Sequence, residues 1–136
     1  MSAARIGIIL ASHAELAASM VRTVELIVEG RTDFFTFAFA EREDPQRASR
    51  RLQDLVRKAD NGRGVLILVD LFGGTPGSLA MSLVEPARVD VVTGVNLPMA
   101  IAAATLDPAL DLHGAAEAVV NAGQQSIQQA GAMLKS

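Results

Sequence analysis

The chain has two histidines, no cysteine, no tryptophan and no tyrosine in 136 residues, so few side chains can act as nucleophiles. His13 stands out by position, because it follows an apolar, β-branched run at 6–11 in the order Ala11-Ser12-His13. A second polar group, Asp70, follows the apolar run 65–69 and opens the segment Asp70-Leu71-Phe72-Gly73-Gly74-Thr75-Pro76. An imidazole beside a carboxylate forms a nucleophile and its orienter. The carboxylate accepts one ring N–H, fixes the tautomer, and leaves the other nitrogen free to attack. Gly73 and Gly74 allow the backbone to approach a ligand. The N–H groups opening the next helix, with the Thr75 hydroxyl, favour an anion in front of the imidazole. Together these parts make a phosphoryl-accepting histidine site, with Ser12 and Phe72 beside it.

The rest of the composition narrows the chemistry further. Without cysteine there is no thiol nucleophile, disulfide framework or Cys-based zinc site. His113, in Asp111-Leu112-His113-Gly114, reads as a structural or exposed residue at a helix start. No spacing of histidines and carboxylates supports a metal, and neither metal nor cofactor is expected. Aromatics make up only 4%, too few for a platform that stacks bases or a flavin ring.

The elements that must position these groups follow from periodicity. Residues 6–11 read as a buried strand. Residues 14–29 read as an amphipathic helix with Leu16, Ala17, Met20, Val24 and Ile27 inward and Gly30 as C-cap. Residues 32–40 predict a second strand with Phe35, Phe37 and Phe39 on one face. Pro45 opens a helix to about 59, stopped by Asp60-Asn61-Gly62. The basic stretch Arg47, Arg50, Arg51, Arg57 and Lys58 on it reads as a solvated face. Residues 65–69 and 89–93 are the third and fourth strands. Thr75 suits the N-cap and Pro76 the first position of a helix to about 84. Asn96-Leu97-Pro98 starts another helix, and the chain beyond Asp111 is helical. This alternation predicts one α/β domain over 1–136, with its core at about 4–130. The sheet is mainly parallel with helices on both faces, and order 2-1-3-4 makes strands one and three neighbours. His13 and Asp70 then emerge side by side at the carboxyl ends, where open α/β sheets carry their sites.

The net charge of −3 and half-apolar composition exclude a disordered chain and give no basic footprint for nucleic acid. The longest charge-free run, 91–106, is broken by Gly94, Asn96 and Pro98 and is too short to span a bilayer. With no signal-peptide pattern at the N-terminus, the expected location is the cytoplasm.

His13 after an apolar strand, Leu-Val-Asp-Leu-Phe-Gly-Gly-Thr-Pro at 68–76 and Gly-Val-Asn-Leu-Pro-Met at 94–99 resemble the IIA component of the mannose family of the bacterial sugar phosphotransferase system. The resemblance implies a cytoplasmic, homodimeric phosphotransferase whose histidine takes a phosphoryl group from phospho-HPr and passes it to a IIB component. It would meet the membrane only through IIC and IID subunits. It assigns the phosphohistidine to His13, the orienting aspartate to Asp70 and the hydroxyl of the Gly-Gly loop to Thr75. Two positions depart from the family pattern: Ala14 stands where glycine is common, and Ser78 where asparagine is common. Alanine fits at 14 if the backbone has ordinary dihedrals, since only positive φ strongly demands glycine.

Rival functions fit the residues less well. A receiver domain would need an acidic pair after strand one and a late-strand lysine, whereas the only lysines are Lys58 and Lys135. Neither a Walker loop nor Gly-x-Gly-x-x-Gly follows strand one. The related phosphotransfer subunit of dihydroxyacetone kinase is closer, but the segment at 94–99 fits the mannose type better. The competing expectation is a regulatory phosphocarrier whose phosphorylation state controls a partner protein without sugar transport.

Overall fold

The structure is a computed structural model that describes residues 4–134, apart from the side chains of Thr75 and Pro76. Ten elements alternate along it: β1 (Gly7–His13), α1 (Leu16–Val28), β2 (Phe35–Phe39), α2 (Pro45–Ala59), β3 (Val65–Val69), α3 (Gly74–Met81), β4 (Val89–Thr93), α4 (Leu97–Ala104), α5 (Leu112–Gln125) and α6 (Ala130–Met133). The four strands form one parallel sheet in the order β2-β1-β3-β4, as the alternating pattern predicts.

Side chains alternate across a strand, so each central strand feeds two cores. Ile8, Leu10, Leu66, Leu68 and Val92 face α1, α4 and α5, where Val24, Ala100 and Val119 are buried against them. Ile9, Ala11, Val65, Ile67 and Val69 face the other way, onto Leu52 and Ala59 of α2 and Ala80 of α3. All five residues of β3 are buried, which is why its sequence is an unbroken apolar run. Phe37 and Phe39 join the second core, with Phe35 packed beside them.

Several boundaries differ from the periodicity, each for a local reason. β1 continues to His13 because β2 pairs with it to the end, His13 opposite Phe39. α1 begins at Leu16 because Ala14 adopts φ 50°. Its left-handed cap is Glu29, at φ 56°, rather than Gly30. β2 begins only at Phe35, since the Glu25 carboxylate accepts the Thr32 N–H at 2.9 Å and holds that residue off the sheet. α3 starts at Gly74 with Gly73 as N-cap, so Thr75 and Pro76 lie inside its first turn. By contrast α2 spans the expected residues, and Asn96 and Asp111 cap α4 and α5 by accepting the N–H groups of Met99 and Gly114.

The basic stretch on α2 is exposed, as expected, and one of its residues also reaches back to the sheet. Arg51 forms a two-pronged pair with Glu43 at 2.6 Å, donates to the Ala38 carbonyl at 3.1 Å, and stacks over Phe37 at 4.3 Å. The adjoining guanidinium holds the Glu43 carboxyl below its ordinary range. This ties α2 to the carboxyl end of β2.

Gly7 shows how closely α2 lies on the sheet. A Cβ there would press onto the Ala59 carbonyl oxygen, with the carbonyl carbon only 2.9 Å away. Backbone on both sides cannot yield as a side-chain tip can, so Gly7→Ala is expected to destabilise the fold by about 3 kcal/mol. A urea titration checks this, and an unchanged midpoint would contradict the packing.

Candidate active site

β1 and β3 are adjacent and in register with Ala11 opposite Val69, so the residues after that pair leave the sheet together. The Asp70 N–H donates to the Ala11 carbonyl at 3.1 Å, which keeps the two strand ends joined for one residue more. His13 then donates its backbone N–H to Asp70 Oδ2 at 2.9 Å. Its ring Nδ1 lies 3.0 Å from the same oxygen. The carboxylate therefore grips His13 at two points.

Burial is unequal across this pair. The Asp70 side chain is 11% exposed and the His13 side chain 52%. A carboxylate only accepts, so Nδ1 carries the proton and Nε2 keeps its lone pair on the side away from Asp70. Asp70 Oδ1 is buried and has no partner among the described residues. Through Oδ2 the carboxylate holds both the backbone N–H and the ring of His13. Phe39 lies beside the imidazole with centroids 6.1 Å apart and planes tilted by 50°.

The loop after Asp70 turns sharply into α3. Gly73 and Gly74 have φ of 105° and 65°, and open space surrounds the position a Cβ would take on Gly73. Both glycines are thus needed for backbone conformation, as a ligand-approaching loop requires. Leu71 and Phe72 are 58% and 70% exposed, a pair of apolar side chains left in solvent next to the imidazole's strand end. The side chain of Thr75 lies outside what the structure describes.

Three expectations change here. Ser12 is 1% exposed and its hydroxyl accepts the Ala17 N–H at 2.7 Å, so it faces the turn and is closed to a substrate. Ala14 does not have ordinary dihedrals. At φ 50° it occupies the left-handed region, where a Cβ crowds the following carbonyl. The aromatic neighbour of the ring is Phe39, which the alternation of β2 had placed on one face with Phe35 and Phe37, rather than Phe72. The register His13 opposite Phe39 is the signal that could have found it. Ser78 is exposed in an open depression bounded by Pro45, Gly74 and Ser82. His113 is exposed on α5 and paired with Glu117 at 2.6 Å. Among the described residues no three His, Cys, Asp or Glu side chains converge as metal ligands.

The strain at Ala14 leads to a direct expectation. Ala14→Gly relieves the steric cost of positive φ but gives back some unfolded-state entropy, for a net stabilisation of about 1 kcal/mol. Chemical denaturation measures it, and a loss of stability would show that Ala14 is not strained.

Residues 7–121 match the family described as PTS system fructose IIA component, EIIA-man. The chain belongs to this family. The chain is 28% identical to the "PTS system mannose-specific EIIAB component" of Escherichia coli over 97 residues, covering 71% of this chain. It spans only 30% of that longer relative. It is 27% identical to the "PTS system fructose-specific EIIA component" of Bacillus subtilis over 124 residues, 90% of this chain and 85% of the relative. Among solved structures, the "Mannose/sorbose specific IIA subunit of phosphotransferase system from Enterococcus faecalis" superposes with a TM-score of 0.81 at 29% identity. That superposition covers 92% of this chain and 94% of the other. No helix among the described residues is long and apolar enough to cross a membrane.

Proposed function

We propose that this protein is a cytoplasmic phosphocarrier, a homodimer that accepts a phosphoryl group on His13 from phospho-HPr and passes it to a IIB component. The observation that carries this reading is the anchoring of Nδ1 on Asp70 Oδ2 at 3.0 Å while the ring stays half exposed. Nε2 attacks the phosphorus in line. A P–N bond forms at Nε2 as the P–N bond to the donor imidazole breaks, and that bond's electron pair returns to the donor ring. The ring of His13 gains positive charge with its proton still on Nδ1, and the adjoining Asp70 carboxylate stabilises it. Positioning and charge account for the catalysis, since phosphoryl transfer leaves little covalent work to the protein. Gly73, Gly74 and the opening N–H groups of α3, with Thr75, receive the phosphoryl oxygens. Leu71 and Phe72 supply apolar contact for the protein that brings or takes the group.

The relatives' names span mannose, fructose and sorbose. A site that handles only the phosphoryl group serves any of them, with the sugar chosen by other subunits and the membrane reached through IIC and IID. Incubation with phosphoenolpyruvate, enzyme I and HPr tests the reading. An acid-labile, base-stable phosphoryl group that discharges onto IIB is expected. Absence of label, or an acid-stable one, would overturn it. A label that forms but never reaches IIB would instead mark a regulatory phosphocarrier.

A further inference from the structure

The turn between β1 and α1 contains a buried polar group that the transfer step does not use. Ser12 is 1% exposed, and among the described residues it is the only polar side chain in the buried class. Both capacities of its hydroxyl are engaged: it accepts the Ala17 N–H at 2.7 Å and donates to the His13 carbonyl at 3.1 Å. Glu15, the N-cap of α1, makes no side-chain cap bond, so Ser12 supplies from β1 an acceptor that the first turn of α1 otherwise lacks. Between these anchors Ala14 sits at φ 50°, a conformation that persists only where the surroundings over-determine it.

His13 is consequently held from both sides. Its N–H is fixed on Asp70 Oδ2 and its carbonyl on Ser12 Oγ. Those two bonds set the backbone angles of residue 13 and with them the direction of its Cβ. The ring then meets the oxygen that already holds its own backbone N–H.

We propose that Ser12 is a positioning residue for the phosphoryl-accepting imidazole, its buried hydroxyl clamping the β1–α1 turn so that His13 Nδ1 stays on Asp70. It acts through His13 and touches no phosphoryl group. The effect on transfer rests on the proposed function, whereas the effect on the ring does not.

The test uses the full chain in three variants. Ser12→Ala removes the hydroxyl, and Ser12→Thr keeps it. Val119→Ala weakens the core on α5, which packs on α4, β4 and β3. Nitrogen NMR of the neutral His13 ring reports the tautomer without any donor present. The initial rate of phosphorylation by phospho-HPr, normalised to folded protein, reports transfer. The wild type and Ser12→Thr are expected to hold the Nδ1–H tautomer. Ser12→Ala is expected to shift toward the Nε2–H form and to lose about tenfold in rate, as small misplacements of a reacting group do. Val119→Ala should change neither.

A Ser12→Ala protein that keeps the Nδ1–H tautomer, or loses no more rate than Val119→Ala, would overturn the proposal. If Ser12→Ala fails to fold, the tautomer comparison is made in the Ala14→Gly background, where the same shift is expected and an unshifted ring would overturn the proposal. A wild-type chain that takes no phosphoryl group would defeat the proposed function, while the tautomer comparison would still decide the role of Ser12.

Discussion

His13→Ala is expected to abolish phosphoryl acceptance from phospho-HPr and leave the fold intact. Neither the second histidine nor the neighbouring serine can replace the ring. His113 lies exposed on α5 and paired with Glu117, and the Ser12 hydroxyl is buried and engaged at both ends. Asp70, mostly buried, turns its accessible chemistry toward residue 13. The fold should survive because the ring is half exposed, and because the bond to Asp70 from the backbone N–H of residue 13 is one an alanine still makes. A stability change within about 1 kcal/mol is therefore expected, as for substitutions outside the core. Labelling by phosphoenolpyruvate, enzyme I and HPr, read beside a urea titration, checks both halves. Full labelling of the variant would remove His13 from the mechanism.

Asp70→Asn is expected to slow phosphoryl acceptance by roughly 10²–10³-fold. The amide oxygen can still accept one N–H, and the shape of the side chain is kept. What disappears is the negative charge, and with it both the preference for the Nδ1–H tautomer and the compensation of the positive ring in the phosphorylated state. Stability should move far less than rate. The amide keeps the size and shape of the carboxylate and can still accept from the backbone N–H of His13. Rates near wild type would show that the 3.0 Å contact orients nothing of consequence. Rate loss with parallel unfolding would mean that the carboxylate serves the fold first.

Much of this arrangement was legible in the residues because the responsible interactions are local or periodic. The all-apolar 65–69 could only be a strand covered on both faces, and Pro45 with Asp60-Asn61-Gly62 bounded α2 by backbone chemistry alone. Once four strands alternated with helices, the order β2-β1-β3-β4 placed His13 beside Asp70. The details that escaped depend on how the chain is held in three dimensions. Nothing in Ser-His-Ala indicates that residue 14 must take positive φ. That follows from joining the end of β1 to a helix lying over the sheet, with a serine three residues before the N-cap tying them together. The alternation of β2 puts Phe39 on one face with Phe35 and Phe37, but its contact with the imidazole depends on the register between β1 and β2. Gly73 displaced Thr75 as the cap of α3 because a glycine at φ 105° lets the helix begin earlier than the hydroxyl suggested.

The central claim is that Asp70 holds Nδ1 of His13 and leaves Nε2 as the atom that attacks. Phosphorus–nitrogen correlation NMR tests it most directly, on a chain carrying isotope-labelled histidine and phosphorylated through enzyme I and HPr. The expected result is phosphorus bonded to Nε2 of His13 with the proton still on Nδ1. Phosphorus on Nδ1, or on His113, would contradict it.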